Sequence, residues 1–295
     1  FVLGKKILKE FWKKKFSHYF YYLNPINLKT TFTLILILLS IISAKAQYTY
    51  LGAGAYGRAN SLVAVPDLSS IYQNPAGIGY LDYHFVAVAI HKTLPVEGLL
   101  TVGAWGNIKS KIVDIGFSAD NFGDEYYHET RIGLAAAKKM DKVSMGIKFS
   151  LLNNAVKEMS SKQTLLGEFG ILATPSKFFS VGLHLVNFTR AKLYASQSLP
   201  TFINFGIGLN PSKKINISGQ IDYPIGEKPF LKLGMAYQIK DHLKLSTGVN
   251  PNLNAIHFGV SFDVKNYRFA YAVSTHPNVG LSNHITLAIL MNEKK

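Results

Sequence analysis

The stretch KVSMGIKFSL (residues 142–151) decides the fold class, because its large apolar residues occupy every second position. Successive side chains of a β-strand point to opposite faces, so this segment has one apolar and one polar face. The same alternation recurs in residues 231–239 and 256–264. The pattern therefore predicts that the chain from Gln47 onward is mainly a series of strands, each with one apolar and one polar face.

Fourteen segments with this pattern follow residue 80, and most are about as long as a transmembrane β-strand, which needs about 9–11 residues. We predict an all-β fold, a transmembrane antiparallel β-barrel of about 14 strands with a short N-terminal plug or hatch. The predicted strands are 83–93, 98–107, 111–120, 127–138, 142–152, 164–174, 178–188, 201–210, 214–223, 229–239, 243–250, 255–264, 267–276 and 282–292.

The predicted connections alternate between short and long. Residues 139–141, 175–177 and 265–266 are short connections, whereas residues 153–163 and 189–200 are long. Short turns on one rim and long loops on the other are typical of an outer-membrane barrel. A soluble β-sandwich also alternates, but it must bury its apolar face against a second sheet. The polar faces here are rich in Gly, Ser and Ala, which suits a crowded lumen, so we favour the barrel.

The first 46 residues have the features of an export signal. An apolar run at residues 31–43 follows Lys29 and precedes Ala44-Lys45-Ala46. A basic region, an apolar region and an Ala-x-Ala site make a secretory signal peptide. We assign residues 1–46 to a signal peptide with a non-native upstream extension, residues 47–80 to an N-terminal hatch segment and residues 81–292 to the barrel.

The basic residues 1–27 leave two interpretations open. They form either a membrane-surface helix or upstream sequence translated in frame, with the true start near Leu28. The full chain carries a formal net charge of +15 and no Cys. Eight Lys and one Glu lie in residues 1–46, so about half of that charge belongs to the segment expected to be removed. We therefore expect no nucleic acid partner, and the absence of Cys excludes disulfides and thiolate metal sites.

Catalytic and metal-binding motifs are missing from the sequence. It has no G-x-S-x-G and no H-E-x-x-H, and its nine His are scattered. We expect no enzyme activity, no catalytic residues, no metal site and no cofactor.

The segment SIYQNPAGIG (residues 70–79) stands between the export signal and the first strand. Asn74-Pro75 favours turn initiation, and Gly77 and Gly79 add turn flexibility. By local chemistry the segment is either a surface turn or a plug in the mouth of the barrel.

One strand register follows from the connection Lys265-Asn266. If it is a two-residue hairpin loop, Asp263 lies opposite Arg268, and both point into the lumen as an ion pair. Other ionisable residues share the predicted inward face, where they form either a polar path or a network that pins the strands. These are Asp114, Arg131, Lys148, Glu168, His184, Asp222, Lys232, Lys244, His257 and His284. Repeated Lys in the short turns predicts a basic rim, which either attracts anionic headgroups or a periplasmic partner or reflects only ordinary turn chemistry and solubility.

Three segments resemble the PorV/PorQ family, small outer-membrane barrels related to the FadL fatty-acid transporters. Residues 52–79 resemble the family's opening, in which a small-residue stretch and an exposed Asp precede Asn-Pro-Ala-Gly. Leu199-Pro200-Thr201 resembles a mid-barrel strand entry, and residues 283–287 resemble the closing strand. The chain departs from the family in its short loops and in its non-aromatic C-terminus.

The resemblance implies a fourteen-stranded barrel in the cell outer membrane, with the N-terminal segment folded into the lumen. Asn74, Pro75, Ala76 and Gly77 are then the hatch motif. The implied role is accessory to type IX protein secretion, with outer-membrane lipid and secretion-system proteins as partners. The alternative is a FadL-like passage for long-chain fatty acids or other hydrophobic small molecules. Such a passage requires an apolar cluster at inward positions near the hatch, whereas the inward residues are mostly Gly, Ser, Lys and His, with Leu172 and Val186 as exceptions.

Overall fold

The computed structural model describes residues 50–92, 100–158, 161–194, 197–277 and 280–291. The predicted signal segment 1–46 and residues 47–49 lie outside the described residues. Fourteen strands form one closed antiparallel barrel, which confirms the predicted fold class. They are β1 His84–Lys92, β2 Leu100–Ile108, β3 Asp114–Gly123, β4 Tyr127–Met140, β5 Val143–Val156, β6 Lys162–Ser176, β7 Phe179–Val186, β10 Phe202–Ser212, β11 Ile215–Pro224, β12 Phe230–Lys240, β13 Leu243–Asn250, β14 Ala255–Val264, β15 Tyr267–His276 and β16 Gly280–Met291.

The barrel closes where the first and last strands pair. β1 pairs with β16 from His84 opposite Met291 to Lys92 opposite Asn283, so the sheet has no free edge. Every other barrel strand pairs with its neighbours in chain order. The connection between β7 and β10 contains a separate small hairpin, β8 (Lys192–Tyr194) and β9 (Gln197–Ser198). The connection between β13 and β14 contains a 3₁₀ helix, Pro251–Leu253.

Several strands continue one or more residues further into the short connections than the sequence predicts. The turn after β4 was expected at residues 139–141, but β4 ends at Met140 and β5 begins at Val143. Asp141 has a φ of 51°, in the left-handed region that Asp tolerates better than most residues. The tight turn therefore starts at Asp141, and the strand pairing extends up to it. Lys265, in the predicted two-residue turn after β14, has a φ of 53°.

The outward positions of the barrel strands are large and apolar. Val88, Phe149, Phe258 and Ile285 are all exposed, each flanked in its strand by inward neighbours. A continuous apolar surface of this kind is unfavourable in water and is matched by lipid tails. Among the described residues, no helix is long and apolar enough to cross a bilayer.

The described residues before β1 run inside the barrel. We call residues 50–80 of this segment the hatch. It contains two one-turn helices, α1 (Ala53–Tyr56) and α2 (Ser70–Gln73), and a 3₁₀ helix, Pro75–Tyr80. Most of its residues are buried against the inner wall, so the hatch supplies the core that the barrel encloses.

Candidate functional site: the hatch and its seat in the barrel

Asn74 ties the hatch to two strands of the wall. Its side-chain amide donates to the carbonyl oxygen of Val63 within the hatch at 2.7 Å, and to Ile171 of β6 at 3.1 Å and Leu183 of β7 at 3.4 Å. Its Oδ1 accepts the backbone N–H of Ala76 at 3.1 Å and so caps the 3₁₀ helix. One buried amide thereby fixes the hatch, its turn and the wall together.

The rest of the predicted hatch motif lies against glycines of the wall. Ser144 of β5 donates its hydroxyl to the carbonyl oxygen of Ala76 at 2.7 Å. A Cβ on Gly146 would come within 2.5 Å of the backbone of Pro75, and a Cβ on Gly170 within 2.0 Å of Asn74 Oδ1. The wall carries glycine at these inward positions because the hatch backbone occupies the space of a side chain.

The middle of the hatch is held by polar residues of β11. The Arg58 guanidinium donates to Asn216 and, at 3.0 Å, to Ser218. The hydroxyl oxygens of Ser61 and Ser218 are 2.8 Å apart, and the Val63 N–H donates to Gln220 at 2.9 Å. Hydrogen bonds from consecutive inward positions of one strand fix the hatch along the barrel axis.

Two histidines of the closing strands form the seat of α1. The Tyr56 ring stacks on His284 of β16 with centroids 3.6 Å apart, and His91 of β1 meets the same ring edge-on at 4.8 Å. His91 Nε2 also accepts the backbone N–H of Gly52 at 3.3 Å. His91 is not among the inward ionisable residues predicted from the sequence, although its position in the alternation of β1 marks it as inward.

A buried charged cluster lies in the wall from β3 to β7. Glu168 is 3.1 Å from Lys148 Nζ and 3.1 Å from His184 Nε2. Asp120 lies opposite Arg131 in the register and accepts the Tyr72 hydroxyl of the hatch at 3.3 Å. These contacts pair inward charges across neighbouring strands. Of the two interpretations of the inward charges, a polar path or a network that pins the strands, they favour the network.

An apolar layer lies between the hatch and the wall formed by β1, β2, β4 and β16, and we call it the apolar seam. Its hatch members include Leu51, Leu68, Ile71, Tyr72 and Ile78. Its wall members include Phe85, Ala87, Trp105, Ala137, Ala288 and Leu290, from strands β1, β2, β4 and β16. Most buried wall positions are polar, as expected, but Leu172 and Val186 are not the only apolar exceptions, because this cluster lies at inward positions against the hatch. Period-2 parity marks Phe85 and Trp105 as inward, but only the closed barrel shows that they face the hatch.

The predicted pair of Asp263 and Arg268 lies at the short-turn end of the lumen. The guanidinium donates Nε–H to Oδ1 and an Nη2–H to Oδ2, each at 2.7 Å, across the β14–β15 hairpin. A cavity beside it is lined by Asp67 and Trp105, together with Lys244 and Arg268. The ion pair thus borders a space between hatch and wall, whereas Asn74 holds the hatch to β6 and β7.

Asp67 anchors the turn of the hatch that faces this cavity. Burial by itself raises the pKa of its carboxyl, but the nearby charge of Lys244 and the hydrogen bonds from Ser69 outweigh burial, so the pKa is below its ordinary value. Those bonds come from the Ser69 N–H at 3.1 Å and its hydroxyl at 2.9 Å. At neutral pH Asp67 is therefore a carboxylate that stabilises the turn. Among the described residues, no group of three His, Asp or Glu side chains is arranged to hold a metal ion.

Comparison with solved structures shows a shared barrel fold. The chain is 11% identical to the Ralstonia pickettii toluene transporter TbuX, with a TM-score of 0.58, covering 83% of this chain and 98% of that one. It is 9% identical to a TodX monoaromatic hydrocarbon channel carrying a deltaS2S3 mutation, with a TM-score of 0.61 and coverages of 82% and 97%. No protein-family profile and no curated protein matches the sequence. The similar structures establish the fold, which is that of outer-membrane barrel proteins.

Proposed function

We propose that this chain is a non-enzymatic outer-membrane channel for small apolar molecules, closed in the present state by its hatch. The apolar seam is the observation that carries the proposal. It packs Tyr72 of the hatch against Trp105 and Phe85 of the wall, at the position where a transporter of apolar molecules requires an apolar surface. The fold shared with a toluene transporter and a monoaromatic hydrocarbon channel supports the same substrate class.

The seam gives an apolar solute a route that the polar half of the lumen does not. Contacts in the seam are mostly non-directional, so a small aromatic or aliphatic molecule can replace them at little cost. On the β5, β6, β7 and β11 side, the hatch is held by directional hydrogen bonds that such a molecule cannot replace. Passage therefore requires the whole hatch to break these hydrogen bonds and move out of its seat. This movement exposes the seam.

A reversible covalent lock tests this mechanism. Ser61 of the hatch and Ser218 of β11 have hydroxyl oxygens 2.8 Å apart, and the natural chain has no Cys. Replacing both with Cys allows one disulfide between hatch and wall. We expect intact cells carrying the oxidised double variant to take up labelled toluene no faster than cells lacking the barrel. Reduction should restore uptake to the natural level.

The single variants Ser61→Cys and Ser218→Cys serve as matched controls and should conduct under both conditions. Equal uptake by the oxidised and reduced double variants would contradict a moving hatch. Failure of the natural chain to accelerate uptake would contradict the channel itself.

The role in type IX secretion that the sequence resemblance implies has no support among the similar structures and stays a prediction. Mild-detergent extraction followed by mass spectrometry distinguishes the two functions. Secretion components bound without an apolar ligand would favour the secretion role, whereas about one apolar ligand per barrel without a protein partner would favour the channel.

A further inference from the structure

The short-turn rim carries an excess of positive charge that the channel function does not use. This rim comprises the six short connections β2–β3, β4–β5, β6–β7, β10–β11, β12–β13 and β14–β15 with their flanking residues. With Asp82 at the entry to β1 included, and with the lumen groups Lys244, Asp263 and Arg268 left out, it holds ten lysines against four aspartates. They are Lys109, Lys111, Lys138, Lys139, Lys142, Lys177, Lys213, Lys214, Lys240 and Lys265, with Asp82, Asp114, Asp141 and Asp241.

The opposite, long-loop rim is nearly balanced over the residues described. It holds six basic and five acidic residues. They are Lys92, Lys157, Lys162, Arg190, Lys192 and Lys228, with Asp124, Glu125, Glu129, Glu158 and Glu227. The positive charge is therefore a property of one rim and not of the barrel as a whole.

Among the described residues, most of the rim lysines have no acidic partner. Lys109 pairs with Asp114 at 3.0 Å, and Lys139 lies over the Tyr80 ring of the hatch, so these two serve the interior. Within the described part of the chain the other eight make no ion pair. A row of unpaired ammonium groups is a surface for an anionic partner.

The distribution of the lysines favours lipid over a protein partner. Each of the six short connections carries at least one of them, so the charge surrounds the barrel instead of forming a single patch. Lys177 lies 5.1 Å above the ring of Phe178, whose exposed ring stands at the edge of the apolar outer face. An ammonium group beside an exposed aromatic ring is typical of the headgroup level of a bilayer.

We propose that the short-turn rim binds anionic phospholipid headgroups of the leaflet that surrounds it. The lysines supply the charge that recognises a phosphatidylglycerol or cardiolipin headgroup, and the apolar outer face holds the acyl chains. The interaction is independent of whether the barrel conducts apolar molecules.

The test compares lipid retention by two variants of the full chain with six substitutions each. The rim variant replaces Lys111, Lys142, Lys177, Lys213, Lys240 and Lys265 with Gln, one in each short connection. The control variant replaces Lys92, Lys157, Lys162, Arg190, Lys192 and Lys228 of the long-loop rim with Gln. Each protein is placed in nanodiscs of equal parts phosphatidylglycerol and phosphatidylethanolamine, and native mass spectrometry counts the retained lipids. Heat-modifiable migration in gels verifies that each barrel is folded.

We expect the natural chain and the control variant to retain phosphatidylglycerol preferentially and the rim variant to lose that preference. Each neutralised lysine that contacts a headgroup should weaken retention about fivefold. High salt should reduce the preference of the natural chain. No preference in the natural chain, an unchanged preference in a folded rim variant, or equal losses in both variants would each overturn the proposal.

Discussion

The indole N–H of Trp105 in β2 donates to the carbonyl oxygen of Leu68 in the hatch at 2.7 Å. Trp105 is fully buried, and its ring meets the Tyr72 ring edge-on at 5.7 Å. This hydrogen bond is a directional contact within the apolar seam, beside the cavity that Asp67 and Arg268 line. The surroundings of the Trp105 side chain therefore depend on whether the hatch is docked.

Replacing Trp105 with Phe should loosen the hatch without unfolding the barrel. The substitution leaves the Leu68 carbonyl oxygen without its donor and removes part of the ring, at a cost of about 1–3 kcal/mol. Hydrogen exchange followed by mass spectrometry should show faster exchange in residues 50–80 and unchanged exchange in the strands. Phe258→Leu, on the lipid-facing side, is the control, and equal exchange in both variants would contradict the contact's role.

Replacing Asn74 with Ala should release the hatch from β6 and β7. The side chain makes its hydrogen bonds to Val63, Ile171 and Ala76 while almost fully buried. Loss of these bonds should destabilise the docked hatch by about 1–3 kcal/mol. Protease cleavage at Arg58, which is buried in the natural chain, should become faster, and unchanged cleavage would show that the motif does not hold the hatch.

Adding a methyl group at Gly170 should have the same effect from the wall side. A Cβ there would lie 2.0 Å from Asn74 Oδ1, closer than atoms approach, so Gly170→Ala must displace the hatch motif. Gly219→Ala provides a matched control, because its Cβ would meet its nearest atom, Leu233 Cδ2, at an ordinary 3.5 Å. Arg58 cleavage should rise only in Gly170→Ala, and a rise in both would indicate a general effect of strand substitution.

Acidification should weaken docking of the hatch through Asp67. Because its pKa is lowered in the docked state, the carboxylate contributes stability that is fully present above about pH 4, the ordinary Asp pKa. That stability is lost as the pH falls through the lowered pKa. Trp105 is the single tryptophan in the sequence after residue 46, and its emission should shift to longer wavelength in this range. Asp67→Asn should remove that transition, and its persistence would assign it to another group.

The pair of Asp263 and Arg268 should contribute modestly to barrel stability. Its side chains retain 32% and 19% of their solvent exposure, so water screens the attraction in part. A double-mutant cycle with Asp263→Asn and Arg268→Gln should give a coupling free energy of about 0.5–1 kcal/mol by denaturant unfolding. A coupling near zero would show that the bidentate geometry adds nothing measurable.

Period-2 alternation was sufficient to predict the strands and their two faces, because the side-chain period of a strand is local. The choice of a barrel over a sandwich needed the alternation of short and long connections as well. The alternation of apolar and polar residues at 142–151 is visible in the sequence itself. The Lys265-Asn266 turn brings Asp263 opposite Arg268 through hairpin geometry alone. Turn boundaries were less accurate, as at Asp141, because a strand continues as long as its neighbour supplies hydrogen bonds.

The seat of the hatch was decided only by tertiary structure. The sequence marks Gly146 and Gly170 as inward small residues, which fits a wet lumen as well as a filled one. Closure of the barrel brings hatch and wall, about 100 positions apart between Asn74 and Ile171, into contact. Whether an inward residue meets water, an opposite charge or the hatch depends on which strands surround it in three dimensions, and alternation contains no information about distance across the lumen. The sequence by itself therefore determined which face each residue occupies, while the folded barrel decided what that face touches.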